Sequence, residues 1–136
     1  MAANLNPYLS FREGTLEVME HYRGIFGGEL TSMTFGDVGT TGPDADKIMH
    51  AQLVTDTGLT LMASDAPESM VPELGGNGSI ALSGGPAEAE QLRGWFEGLA
   101  EGGTVDQPLQ QAPWGDSFGM CTDRAGVHWM VNIAGA

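Results

Sequence analysis

Hydrophobic and polar residues alternate most cleanly near the far end of the chain, from Pro113 to Asn132. The pattern there predicts a strand, a tight turn and a second strand. Ser117 to Thr122 runs extended, Asp123-Arg124-Ala125-Gly126 turns, and Val127 to Ile133 returns. In the returning strand Val127, Trp129, Val131 and Ile133 point one way and His128, Met130 and Asn132 the other. The first set is apolar enough for a core. The second combines an imidazole, a thioether and a carboxamide, the mixture of a pocket lining or a partly wet surface.

The same two periods organise the rest. Leu5 to Phe11 predicts a short strand, with Pro7 marking an edge or a strand start because it donates no ladder hydrogen bond. Thr15 is the expected N-cap of a helix whose apolar stripe is Leu16, Met19, Tyr22/Arg23 and Phe26. Glu13, Glu17 and Glu20 occupy another stripe, read as a solvated face, with His21 on the same polar side. Gly27-Gly28 ends that helix. Glu29 to Phe35 is extended, Gly36 to Asp46 is loop, and Ile48 to Thr55 and Leu59 to Ser64 form a hairpin around Asp56-Thr57-Gly58. Asp65 to Gly78 reads as a linker, with a mobile lid as the sharper alternative. Ser79 to Ser83 is a strand and Pro86 starts a second helix, with Leu92, Trp95/Phe96 and Leu99 as its stripe and Gly102-Gly103 as its stop. Thr104 to Gln111 is extended and polar, and leads into the closing hairpin.

The resulting order is β-α-β-β-β, a glycine-rich linker, and β-α-β-β-β again. Both helices run through paired glycines into a strand, Phe26-Gly27-Gly28-Glu29-Leu30 and Glu101-Gly102-Gly103-Thr104-Val105, which suggests a duplicated module. The expected boundaries are about 4–66 for the first module, 67–77 for the linker and 78–134 for the second, all within one domain. In each module the apolar sheet face takes the helix and the polar face is left concave. That face would carry Asn6, Tyr8, Ser10, His50, Gln52, Thr60, Met62, Ser64, Ser79, Ser83, His128, Met130 and Asn132.

Charge narrows the partners. Eighteen Asp+Glu against five Lys+Arg give a formal −13, and the cations Arg12, Arg23, Lys47, Arg93 and Arg124 are scattered. Nucleic acid and anionic membrane surfaces both call for clustered cations, so neither is an expected partner. The lone Cys121 allows no internal disulfide and sits in an apolar strand as a small hydrophobe. No stretch reaches transmembrane length and the first residues have no basic flank, so the expected location is cytoplasmic.

Five segments carry a resemblance: Pro7-Tyr8-Leu9-Ser10-Phe11, Tyr22 to Leu30, Met49-His50-Ala51-Gln52-Leu53, Trp114 to Met120, and Asp123 to Asn132. In this order they resemble the PhnB-like branch of the vicinal oxygen chelate superfamily, which holds glyoxalase I, extradiol dioxygenases, and fosfomycin- and bleomycin-resistance proteins. The resemblance implies an α+β fold: two tandem βαβββ modules forming a curved, cavity-enclosing mixed sheet, with helices on the outer face. It also implies a homodimer. Metal-dependent members hold a divalent ion with His or Gln and Glu from the first and fourth strands of each module. Those positions fall here near Asn6 (Pro7 or Tyr8 if the register slips), Met62, Ser79 in Gly78-Ser79-Ile80-Ala81-Leu82, and Met130. Two thioethers, a hydroxyl and an amide will not hold such an ion, so no metal and no cofactor are expected.

Two further groups need weighing. His50, His128 and Asp116 could in principle form a replacement metal site, but their spacing does not bring them together, and each His reads as a hydrogen-bonding residue. Trp114-Gly115-Asp116 reads as a structural turn in which Asp116 bonds the turn backbone; the functional alternative is an aromatic platform with an acceptor. The expected function is small-molecule binding in the sheet cavity. Its candidate residues are Tyr8, His50, Gln52, Met62, Ser79, Trp114, Asp116, His128, Met130 and Asn132. The alternatives are an enzyme of the lyase, isomerase or dioxygenase type, using a shifted metal site or His50/His128 as base, and a structural dimer with a filled cavity. No nucleotide-type glycine loop follows a strand, which argues against methyl transfer.

Overall fold

A computed structural model describes residues 4–135. The chain divides into two compact units, Met1–Asn77 and Gly78–Ala136. The first holds β1 (Tyr8–Phe11), α1 (Thr15–Phe26), β2 (Glu29–Thr34), β3 (Ile48–Val54) and β4 (Thr60–Asp65). The second holds β5 (Ser79–Gly84), α2 (Ala89–Ala100), β6 (Thr104–Gln111), β7 (Ser117–Thr122) and β8 (His128–Ile133). Their four-stranded sheets are ordered β1-β4-β3-β2 and β5-β8-β7-β6. In both, the first strand pairs parallel with the fourth and the other neighbours pair antiparallel. The duplication expected from the paired glycines is therefore a duplication of topology.

Burial follows the alternation. In the first unit Leu9, Ala51, Leu53, Leu61 and Ala63 are buried, as are Met19, Tyr22 and Phe26 of α1. In the second, Cys121, Trp129, Val131 and Ile133 are buried, as are Leu92, Phe96 and Leu99 of α2. Each large apolar side chain so removed from water contributes about 2 kcal/mol. The opposite sheet faces keep the polar residues.

The glycine pairs have a steric cause. A Cβ on Gly28 would overlap the Val54 carbonyl at the end of β3, and one on Gly103 would overlap the Thr122 carbonyl at the end of β7. Gly28 also lies at φ 107°, in the left-handed region. In each unit the chain leaves its helix directly over the end of a strand, and only hydrogen fits between them.

Several boundaries differ from the sequence expectation. The first strand begins at Tyr8 rather than Leu5, because Pro7 offers only its carbonyl (to Met62 N, 3.1 Å), and Leu5 is fully exposed. Thr15 is not the N-cap. Gly14 holds that position, and Thr15 is the first helical residue, giving its N–H and hydroxyl to Asp65. Asp65 is accordingly the buried last residue of β4 rather than the start of a linker, and its other oxygen accepts Ile48 N at 2.8 Å. His21 is half-buried, its ring 6.1 Å from that of Tyr22, rather than a surface residue. Leu59 lies outside β4, exposed in the turn that Thr55 closes through its hydroxyl and backbone. Pro86 opens a 3-10 turn, Pro86–Glu88, before α2 begins at Ala89.

The segment after β4 is tied to β1. Arg12 donates to the carbonyls of Ala66, Val71 and Pro72. Asn77 accepts Ser10 N at 2.9 Å and donates to Ser10 O at 3.2 Å, so its amide imitates a peptide group beside the strand. Among the described residues, no helix is long and apolar enough to cross a membrane.

Candidate functional site

The candidate residues fall into two groups, one on the polar face of each sheet. In the first unit, Tyr8 is paired with Met62 and Met62 with Gln52, so the three form one row across β1, β4 and β3. His50, two residues before Gln52 on β3, joins them through the Tyr8 hydroxyl, 3.3 Å from its Nδ1, with the two rings tilted and 5.8 Å apart. Asn6 lies before the first strand, half-buried.

In the second unit, β8 carries His128, Met130 and Asn132 at alternate positions, paired on one side with Ser79, Ala81 and Ser83 of β5. On the other side they pair with Thr122, Met120 and Phe118 of β7. The middle of this face is thus apolar, with Met120 and Met130; one end carries Asn132 beside Phe118 and the other His128 beside Thr122. At one end Asn132 Nδ2 donates to Asp116 Oδ2 (3.1 Å), while Asp116 Oδ1 accepts Gly135 N (3.0 Å). The Gly135 N–H and the Asn132 amide hold the Asp116 carboxyl below the usual carboxylate range. Asp116 therefore anchors Asn132 and the end of β8 rather than its own turn, which closes through Gly115 N and the Ala112 carbonyl. Trp114 is exposed, and its ring stands 6.1 Å from that of Phe118.

At the other end is a constellation the sequence reading missed. His128 Nδ1 lies 2.9 Å from the Thr122 hydroxyl, which donates to Asp106 Oδ2 at 2.7 Å. Thr122 was findable only with the turn one residue tighter: Asp123 N bonds the Val127 carbonyl across Arg124-Ala125-Gly126, and this sets Thr122 opposite His128. Asp106 was not. It is the extra residue where the β6–β7 register steps between Val105 and Gln107, a bulge that gives no periodic signal.

The buried polar groups elsewhere have structural duties. Asp123 Oδ1 accepts Ala125 N and Val127 N, and its Oδ2 accepts Trp129 Nε1 at 2.8 Å. Burial, with the Asp123 and Asp106 charges, pushes the Cys121 thiol up to about 11, away from nucleophilic use. Among the described residues, no three His, Cys, Asp or Glu side chains gather so as to hold a metal ion, so His50, His128 and Asp116 make no such group. On the polar faces Met62 and Met130 offer thioethers, which are poor donors for hard or borderline divalent ions.

A model of the family described as "Glyoxalase/Bleomycin resistance protein/Dioxygenase superfamily" matches residues 11–131. Protein YjdN of Escherichia coli (strain K12) is 30% identical over 142 residues, covering 95% of this chain and 94% of that protein. The crystal structure of protein PA1353 from Pseudomonas aeruginosa is 42% identical, with a TM-score of 0.80, covering 99% of this chain and 100% of that one. A Bacillus cereus PhnB protein, described as a putative 3-demethylubiquinone-9 3-methyltransferase, shares the fold. Its TM-score is 0.70 at 22% identity, over 97% of this chain and 100% of that one.

Proposed function

The chain belongs to the glyoxalase/bleomycin resistance protein/dioxygenase superfamily, and we propose that within it the protein binds a small molecule without a metal ion. The observation that carries this reading is the donor set at the positions where metal-dependent relatives hold their ion. Asn6, Met62, Ser79 and Met130 supply one amide, two thioethers and one hydroxyl, with no imidazole or carboxylate among them. A divalent ion of the kind this superfamily uses is held by imidazole and carboxylate ligands, so the residues present do not fit it. What they do fit is a ligand with an apolar body. Met120 and Met130 form an adaptable patch between the Asn132 and His128 ends of the second sheet face, and Phe118 extends it beside Asn132. Dimerisation of two such chains is part of the proposal, on the strength of the family resemblance.

The test begins with protein purified without an affinity tag. Its metal content is measured, and its melting temperature is scanned with zinc, manganese, nickel and magnesium salts. The expected result is less than a tenth of an ion per chain, on the order of contamination, and no stabilisation. One ion per chain, with stabilisation that a chelator reverses, overturns the proposal.

A further inference from the structure

We propose that Asp106 and Thr122 fix the tautomer of His128, so that its free Nε2 accepts a hydrogen bond from an amine-bearing ligand lying across Met120 and Met130; this rests on the binding function proposed above. A hydroxyl has one proton, and a carboxylate can only accept. Because the Thr122 hydroxyl donates to Asp106 at 2.7 Å, the 2.9 Å contact with His128 must be donated by the imidazole. The Nδ1 of His128 therefore carries a proton, and in the neutral ring Nε2 carries the lone pair. His128 and Asp106 are both exposed, so nothing requires this chain of bonds for core packing. A bulge at Asp106 supplies the carboxylate, and bulges recur where a sheet re-aims a side chain toward a ligand.

The other end of the face repeats the arrangement. Asp116 takes the Nδ2 side of Asn132 at 3.1 Å, which fixes the amide and turns its carbonyl oxygen away from that carboxylate. His128 and Asn132 lie four positions apart on β8, roughly 13 Å at strand rise, with Met130 between them. Each end thus presents an acceptor backed by a carboxylate, and the middle is apolar. A chain of formal charge −13 adds a field of the same sign. The matching chemistry is an ammonium or N–H donor on an aromatic or aliphatic body; a carboxylate or phosphate ligand is mismatched at both ends.

The experiment uses the full chain with 15N-labelled histidine, at about pH 8.5, roughly two units above the ordinary imidazole value. Two-bond 1H–15N correlations report which ring nitrogen is protonated. Wild type is expected to show His128 with its proton on Nδ1, and Thr122→Val to shift the proton toward Nε2. Phenethylamine is then expected to move the His128 ring and Met130 methyl signals, about tenfold more weakly in Thr122→Val, the worth of one hydrogen bond. Phenylacetate is expected to leave them in place. A wild-type proton on Nε2, a tautomer unchanged in Thr122→Val, silence toward phenethylamine, or equal binding of phenylacetate overturns the proposal. The tautomer is read without ligand or metal, so its failure is distinct from a failure of the metal assay above.

Discussion

Asp65 Oδ1 accepts both the backbone N–H of Thr15, at 3.1 Å, and its hydroxyl, at 2.7 Å, so the last residue of β4 caps the first turn of α1 from fifty residues away. The other oxygen holds Ile48 N at the start of β3. Replacing Asp65 by Ala leaves three buried donors without their acceptor and is expected to cost about 3 kcal/mol. Asp65→Asn is expected to cost about 2 kcal/mol, because one face of its amide must present N–H groups to a donor. Denaturant titration of both variants checks the order, and an Asn variant as stable as wild type would refute it.

The steric role of the helix-ending glycines gives a paired prediction. Gly28→Ala pushes a methyl into the Val54 carbonyl and forces a left-handed φ on alanine, and Gly103→Ala pushes one into the Thr122 carbonyl. Each is expected to destabilise by roughly 2–4 kcal/mol. Gly24→Ala, where nothing lies near the added carbon on α1, is expected to be neutral or to stabilise by up to about 1 kcal/mol. Thermal melts of the three proteins decide it.

Asp116 couples pH to the end of β8. Its carboxyl is held below the ordinary range by Gly135 N–H and the Asn132 amide, so the charged form belongs to the folded state. The anchoring is present above the unfolded aspartate value and is lost as pH falls through the lower folded value. In an acid titration followed by NMR, the Gly135 amide proton is expected to move with a midpoint below about 3.9, the ordinary aspartate value. In Asp116→Ala that movement should vanish.

Cys121 behaves in the opposite sense. Its thiol is raised to about 11 from an ordinary value of 9.0, so the protonated form is favoured in the fold. The resulting stability is complete below the unfolded value and declines as pH rises from about 9 to about 11, by on the order of 2 kcal/mol. A thiol reagent at neutral pH should therefore label Cys121 only after unfolding. Rapid labelling of the native protein would contradict this.

The sequence made the architecture legible because alternation and helical spacing are local signals. The core face of β8 and Met19, Tyr22 and Phe26 of the α1 stripe appear where the pattern puts them, while Leu16, expected with them, is exposed. Periodicity also assigned His128, Met130 and Asn132 to one face, and the structure extends that face to Met120 and Phe118 through the hairpin register. What stayed illegible depends on distant partners. Asp65 looks like loop polarity in the sequence, since the groups that make it structural lie at Thr15 and Ile48. Asp106 is one acidic residue among eighteen until a register step turns it to Thr122. Asp116 reaches Gly135 rather than its own turn because the chain end comes back beside it.

The amide of Asn77 beside Ser10 bears on how the protein can be dissected. A fragment ending at residue 66 would strip the Ser10 backbone of both its bonds to Asn77 and Arg12 of two of its three carbonyls. A fragment ending after Asn77 keeps all of them. The two compact units meet between Asn77 and Gly78, and the halves of the duplication are unequal because the first retains the strap that seals its own leading strand.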